Sequence, residues 1–323
     1  MTNLSDIRRG SDTLVRVCAW LQSNETALVV SDHSTVRIGR SIFEAVKEVT
    51  RNASHLVIEP FAMHGQEPPS HIAQQMSSFS VVFGVTKMSM AHTKARQMAS
   101  LKGVRYLSLP DYSFELLSSQ SLRTDFKKLT PLVLKITELL SNAKEVFIKT
   151  RNGTELSLRI DGRQANSSPG WCDGLGTFVS PPDVESNIAP LEAESNGVIA
   201  VDGSIPYKDF GLLDSPIMLE VKNGRIVKIS GKYSTALEKV LDSPSDITTR
   251  ILAELGFGLN PNAKLSGFML EDEGSWGTVH LGFGSNSTIG GANHIAFHLD
   301  MVLLEPTVFV DGVIILNEYK FFI

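Results

Sequence analysis

Cysteine is scarce in this chain, with two in 323 residues. Cys18 and Cys172 stand far apart and make no metal-type pair, so reduced thiols and a cytoplasmic location are expected. Long apolar runs are also missing. Nothing approaches the roughly 20 consecutive residues that span a bilayer. The opening stretch "MTNLSDIRRGSDTLVRVCAWL" has only a short, interrupted apolar segment, which argues against a secretory signal. Excess charge is absent as well. A formal net charge of -5 gives no electrostatic reason to expect nucleic acid or an anionic membrane as partner. No glycine-rich fingerprint follows the first strand pattern, so a nicotinamide cofactor is not supported. There is no convincing repeat and no low-complexity linker.

What remains is material for real cores. Hydrophobic residues make up 42% of a length that suits two domains. In the first half, short apolar runs alternate with helical patterns. "TALVVSD", "SHLVIEP", "FSVVFGVT" and "VRYLSLP" read as strands. "GRSIFEAVKEVTR", "PPSHIAQQMSS" and "AHTKARQMASLKG" read as helices between them, and a longer helical pattern near 121–141 closes the domain. Each strand is a continuous apolar run, which predicts a mostly parallel sheet covered on both faces. Residues 1–143 are therefore expected to form a Rossmann-like α/β domain.

From about residue 144 the grammar changes. Alternating runs flank Asn152-Gly153, Asn223-Gly224 and Asp311-Gly312, dipeptides that supply the positive φ of tight hairpin turns. Residues 144–323 are expected to form a mainly antiparallel α+β domain. One helix is predicted inside it: Ser243 caps, Pro244 takes the first helical position, and "SDITTRILAELG" stops at Gly256.

Three of the eight histidines fall in "TVHLGFGSNSTIGGANHIAFHLDMVLLEP", residues 278–306. If "TVHLGFG" and "HIAFHLD" are extended, each has one apolar face and shows histidine on the other. His280 shares its face with Gly282 and Gly284; His298 shares its own with Asp300. Imidazoles among small residues fit a cavity better than a solvated face, which more often carries Lys, Glu or Thr. Two imidazoles and one carboxylate with open positions suit non-haem Fe(II). Further carboxylates would suit one or two zinc-like ions for hydrolysis. The plainer alternative is a polar strand face. Glu254 falls in the last turn of the predicted helix, where the dipole disfavours negative charge unless a cation is near. Glu185 lies in "PPDVESNIAPLEAESNG", a proline-bounded loop, and composition does not separate it from Glu192 and Glu194.

Several stretches resemble the aminopeptidase T superfamily of thermophilic metallo-aminopeptidases: "PPDVESNIAPLEAESNGVIAVDG", "LAELGFGLNPNAKLSGFMLEDEGSWGTVHLGFG" and "HLDMVLLEPTVFVDG". With "GQEPPSHIAQQM" and "SMAHTKARQMASLKGVRYLSLP", the chain is most similar to the shorter branch that includes 2,5-dihydroxypyridine 5,6-dioxygenases. The resemblance covers nearly the whole chain. It implies a mononuclear Fe(II) held by His280, His298 and Asp300, with Glu185 and Glu254 as acid–base or orienting groups. A hydroxylated aromatic and dioxygen would be the substrates, and a homodimer the assembly. His92, with Thr93 and His64, would serve from the first domain; loop solvation and helix capping are their ordinary roles.

The peptidase pattern implies instead one or two Zn, Co or Mn ions on Glu185, Glu254, His280, His298 and Asp300, acting on a short peptide. Glu254 would bridge. This sequence departs from that pattern at Ser275, where a glutamate is expected (Glu273 is close by), and at Ser287, where a tyrosine is expected. The spacing between the two histidines is also shorter than in the pyridine-cleaving enzymes, which implies a different substrate loop. A non-catalytic binding protein on the same fold is the third reading. It predicts no retained metal.

Overall fold

The computed structural model describes residues 3–207 and 210–323. Two units emerge: Met1–Lys128 with Ser168–Pro182, and Leu129–Ser167 with Asp183–Ile323.

The first unit is built on a five-stranded parallel sheet. Its order is Ala53–Ile58, Ala27–Asp32, Val81–Val85, Arg105–Ser108 and Phe178–Val179. The helices Val36–Lys47, Ser70–Met76 and Lys94–Leu101 lie between successive strands in the chain, as parallel neighbours require. Ala27–Asp32 and Val81–Val85 are buried at every position, which is why they read as unbroken apolar runs. Val36–Lys47 buries Ile38, Ile42, Ala45 and Val46, a stripe at helical spacing. Leu28, Val30, Val82 and Tyr106 meet Ile72, Met76 and Ala99 in one core, each large aliphatic contributing about 1.5–3 kcal/mol by burial. Thr93 caps Lys94–Leu101 by accepting the Arg96 N–H.

The second unit holds two antiparallel sheets. One has eight strands in the order 225–230, 217–222, 196–201, 155–159, 145–149, 307–310, 313–317 and 320–321. The hairpins expected at the three turn dipeptides all form. Two of them are two-residue turns with both φ values positive: Asn223 at 47° with Gly224 at 71°, and Asp311 at 46° with Gly312 at 80°. The other sheet has seven strands. Its middle runs Ser204–Ile205, His298–Leu303, Val279–Gly284, Leu252–Gly258 and Glu185–Ile188. The expected architecture, parallel α/β followed by antiparallel α+β, is what the structure contains.

Two local expectations are corrected. The helix predicted over 245–256 does not form. A short 3-10 turn, Ile247–Arg250, capped by Asp246, gives way to the strand Leu252–Gly258. The real helix lies just upstream, Ser234–Asp242, and Ser243 ends it instead of starting one. The reason is tertiary. Leu252–Gly258 is fully buried and pairs on both edges, with Glu185–Ile188 and Val279–Gly284, so ladder hydrogen bonds outweigh local helix propensity. The second correction concerns "HIAFHLD". Its strand begins only at His298; His294 to Phe297 belong to the preceding loop.

Candidate metal centre

The site is built on one face of four neighbouring strands. Period-two alternation puts Glu185 and Asn187 on that face, with Glu254, Gly256 and Gly258, then His280 and Gly282, then His298 and Asp300. The opposite face carries Leu255, Phe257, Leu281, Phe283, Leu299 and Met301, all buried. A one-residue slip would exchange the two faces, so burying this apolar set fixes where the polar groups point.

Register places polar side chains against glycines. Gly256 pairs with His280, and Gly282 pairs with both Glu254 and Asp300. A Cβ on Gly256 would lie 2.0 Å from His280 Nε2. A Cβ on Gly282 would lie 2.7 Å from His298 Nε2 and 2.8 Å from Glu254 Cβ. The small residues beside the histidines therefore do not border open space. The imidazoles themselves fill it.

The ligand atoms converge in two groups that share one residue. Glu185, Glu254 and His280 offer atoms mutually within 4.8 Å, and so do Glu254, His298 and Asp300. His280 Nε2 lies 3.1 Å from Glu185 Oε2 and 3.7 Å from Glu254 Oε1. His298 Nε2 lies 3.2 Å from both Glu254 Oε2 and Asp300 Oδ1. On its other side, His298 Nδ1 donates to the Ser285 carbonyl at 2.8 Å. That bond assigns the ring proton to Nδ1 and turns Nε2 toward two carboxylates. Either a second proton or a cation must sit there, and a backbone carbonyl on the far nitrogen is the usual support of a metal-binding imidazole.

Glu185 is oriented in the same way. Asn166 Nδ2 donates to Asn187 Oδ1 at 3.0 Å, and Asn187 Nδ2 donates to Glu185 Oε1 at 2.8 Å. Glu185 Oε2 is left buried with no hydrogen-bond partner, despite its closeness to His280 Nε2. His280 Nδ1 is likewise buried and unpartnered.

Two more carboxylates stand close. Asp183 Oδ1 and Glu273 Oε1 are buried without hydrogen-bond partners, and their charges act on Glu185, His280 and Asp300. Burial, then the charge of Glu185, pushes the Asp183 carboxyl well up; burial, then Asp300, does the same to Glu273. For the histidines burial works the other way, but the surrounding carboxylates prevail and push both well up. Glu254 and Asp300 resist burial and lie below the usual carboxylate range, held there by His280 and His298 for Glu254 and mainly by His298 for Asp300. Five carboxyl groups thus gather around two imidazoles in a largely buried space that opens at His298. Holding all of these carboxyls ionised would cost several kcal/mol per uncompensated ion, so either some stay protonated or a cation joins them. The donor set and the unpartnered oxygens both fit a divalent metal ion. Two imidazoles with carboxylates match non-haem iron; a carboxylate shared by two groups also matches a pair of zinc-like ions.

The expected residues Glu185, Glu254, His280, His298 and Asp300 are thus brought together, with Glu254 between the two histidines. Glu192 and Glu194 are not among them. His92 belongs to the first unit, in the turn before Lys94–Leu101, and lies in neither group. His64 accepts the Ser89 N–H there. Ser275 is occupied elsewhere, donating to the Glu271 carbonyl. Asp183 was missed by sequence reasoning because it lies two residues before Glu185, just outside the strand Glu185–Ile188, where no alternation marks it.

A family model described as NicX, 2,5-dihydroxypyridine 5,6-dioxygenase, matches residues 3–322. A 2,5-dihydroxypyridine 5,6-dioxygenase of Pseudomonas putida is 22% identical over 254 residues, covering 75% of this chain and 71% of that protein. Among solved structures, the 2,5-dihydroxypyridine dioxygenase of Pseudomonas putida superposes with a TM-score of 0.84 at 17% identity, covering 99% of this chain and 98% of that one. AmpT of Thermus thermophilus superposes with a TM-score of 0.71 at 15% identity, with 99% of both chains covered.

Proposed function

The chain belongs to the 2,5-dihydroxypyridine 5,6-dioxygenase family, and from that membership we propose that it is a mononuclear non-haem Fe(II) dioxygenase opening the ring of a hydroxylated aromatic or heteroaromatic compound such as a dihydroxypyridine. The observation that carries this reading is His298. Its Nδ1 is committed to a backbone carbonyl while its Nε2 faces Glu254 and Asp300, with His280 on the other side of Glu254.

In this reading His280, His298 and Asp300 hold the ion, and iron supplies the one-electron steps that let dioxygen react with a closed-shell ring. The chain's own groups do the rest. Glu254, kept ionised beside both imidazoles, orients an incoming substrate hydroxyl by accepting its hydrogen bond. Glu185, aimed by Asn187, keeps its unpartnered Oε2 beside His280 Nε2, within reach of the ion. His280 is 1% exposed and the His298 side chain 32%, so substrate approaches from the His298 side. The buried apolar face beneath the site keeps it rigid. A homodimer in the cytoplasm is part of the same proposal. No helix among the described residues is long and apolar enough to cross a membrane.

The test is oxygen uptake by anaerobically purified, iron-loaded protein on adding 2,5-dihydroxypyridine or catechol-like phenols. Uptake that disappears in His298→Ala and Asp300→Ala supports the reading; no uptake with any hydroxylated ring contradicts it. One observation favours a second reading. Glu254 is common to both ligand groups, as a carboxylate shared by two ions would be. That hydrolytic reading predicts cleavage of short peptides with Zn, Co or Mn and no consumption of oxygen.

A further inference from the structure

The segment 285–297 joins the strands of His280 and His298 and has no helix or strand of its own. Segments of about this length without regular structure are uncommon in compact domains unless something holds them. Here the holding group is Glu192. Its Oε1 accepts the Ala292 N–H at 2.6 Å and Asn286 Nδ2 at 3.0 Å. Its Oε2 pairs with Arg163 Nη2 at 2.5 Å, and Arg163 Nη1 donates to the Gly290 carbonyl at 2.5 Å. Arg163 is itself largely buried, with 14% of its side chain exposed, so this pair is sheltered from screening.

The contacts continue inward. Fully buried Asn286 accepts the Asn293 N–H on Oδ1 at 2.8 Å, and its own N–H donates to the Asn293 carbonyl at 3.1 Å. Asn293 Nδ2 donates to the Gly284 carbonyl at 2.6 Å and the Thr248 carbonyl at 3.0 Å. Gly284 ends the His280 strand and pairs with His298. Ser285 comes next. Its N–H donates to the Phe297 carbonyl at 2.8 Å, and its own carbonyl receives the His298 Nδ1 proton. A path of hydrogen bonds therefore runs from Glu192 through Asn286 and Asn293 to the Gly284 carbonyl, one residue before the carbonyl that sets the direction of the His298 ring.

We propose that Glu192 is a positioning residue. Through the 285–297 loop it fixes the Ser285 carbonyl, and so the Nδ1–H tautomer and aim of His298. The inference rests on the reading of His298 as a metal ligand. Glu192 touches neither the ion nor the substrate. Its effect should therefore appear in metal affinity and in the state of the imidazole, beyond any loss of stability.

The experiment is calorimetric titration of metal-free protein with Mn(II) alone, alongside histidine-labelled nitrogen NMR of the same samples. In Glu192→Ala, Mn(II) binding weakens about tenfold or more, as for other groups that orient a ligand indirectly, and the His298 Nδ1–H signal is lost or broadened. In Glu192→Gln, Oε1 still accepts both Ala292 and Asn286, and binding stays within about threefold of wild type. If Glu192→Ala does not fold, Arg163→Ala carries the same test, with a fall of about tenfold expected. A variant that melts earlier but binds Mn(II) like wild type, with the His298 signal unchanged, overturns the inference alone. A wild-type chain that binds no Mn(II) overturns the reading of the site, and the inference with it.

Discussion

At the scale of single residues, the site depends on what is missing from two positions. Gly256 and Gly282 leave room for the rings of His280 and His298, with no space for a methyl group at either. Gly282→Ala is expected to fold, because its strand is fixed by neighbours on both edges, but at a cost of about 1–3 kcal/mol from overpacking. Metal affinity is expected to fall at least about tenfold, since the new Cβ must displace His298 or Glu254. Titration with Mn(II) and a melting curve together check this; unchanged affinity would mean the ring can move aside freely. Much of this scale was legible in the chain itself. His280 stands two residues from Gly282 and four from Gly284, and His298 two from Asp300, so alternation grouped the polar residues within each strand, and the pairing register puts both sets on one face. Glu273 and Asp183 were less legible because neither lies inside a patterned run. Their place depends on where Gly274 meets Asp183, a contact between distant segments.

Among elements, the strands Ala27–Asp32, Val81–Val85 and Arg105–Ser108 were read well because they are buried at every position and need no partner to be recognised. The strand carrying Glu254 was misread for the opposite reason. Ile251, Leu252 and Leu255 fit a helical stripe as well as a strand, and only pairing with two neighbouring strands decides between them. With the strand in place, Glu254 is no longer an awkward charge at a helix end. It becomes the centre of the cluster.

A second element-scale feature is Asp32, at the end of strand Ala27–Asp32. Its carboxylate accepts the Lys87 N–H at 2.6 Å, the Ser34 N–H at 2.8 Å and the Ser34 hydroxyl at 2.6 Å. Lys87 follows the neighbouring strand Val81–Val85, so Asp32 fastens two strand ends. Burial works to raise its pKa, but these hydrogen bonds, with that from Thr35, bring it below the usual value. A depressed carboxyl stabilises the fold above its unfolded pKa, near 4, and loses that contribution as pH falls through the folded one. Asp32→Asn is therefore expected to cost about 1–3 kcal/mol at neutral pH in urea unfolding. The gap to wild type should narrow below about pH 4. A gap that is constant down to about pH 2 would contradict the assignment.

For the whole molecule, the sequence pattern showed a parallel half and an antiparallel half. It carried no sign that Ser168–Pro182 returns to add Phe178–Val179 to the first sheet, since that strand is two residues long and has no period to detect. The candidate ligand cluster lies within the second unit, so ion binding there should stabilise that unit by mass action. At a free ion concentration near 100 times Kd the gain is about 2.7 kcal/mol, seen as a higher melting temperature that EDTA reverses and His298→Ala abolishes. Equal melting with and without ion would deny the linkage.

The most direct measurement is X-ray absorption at the iron edge on anaerobically loaded protein, with iron and chain quantified in the same sample. About one iron per chain, in an oxygen and nitrogen shell with the scattering of two imidazoles, is the predicted result. No stoichiometric iron, or an iron shell without imidazole, would contradict the claim that His280 and His298 grip a common ion.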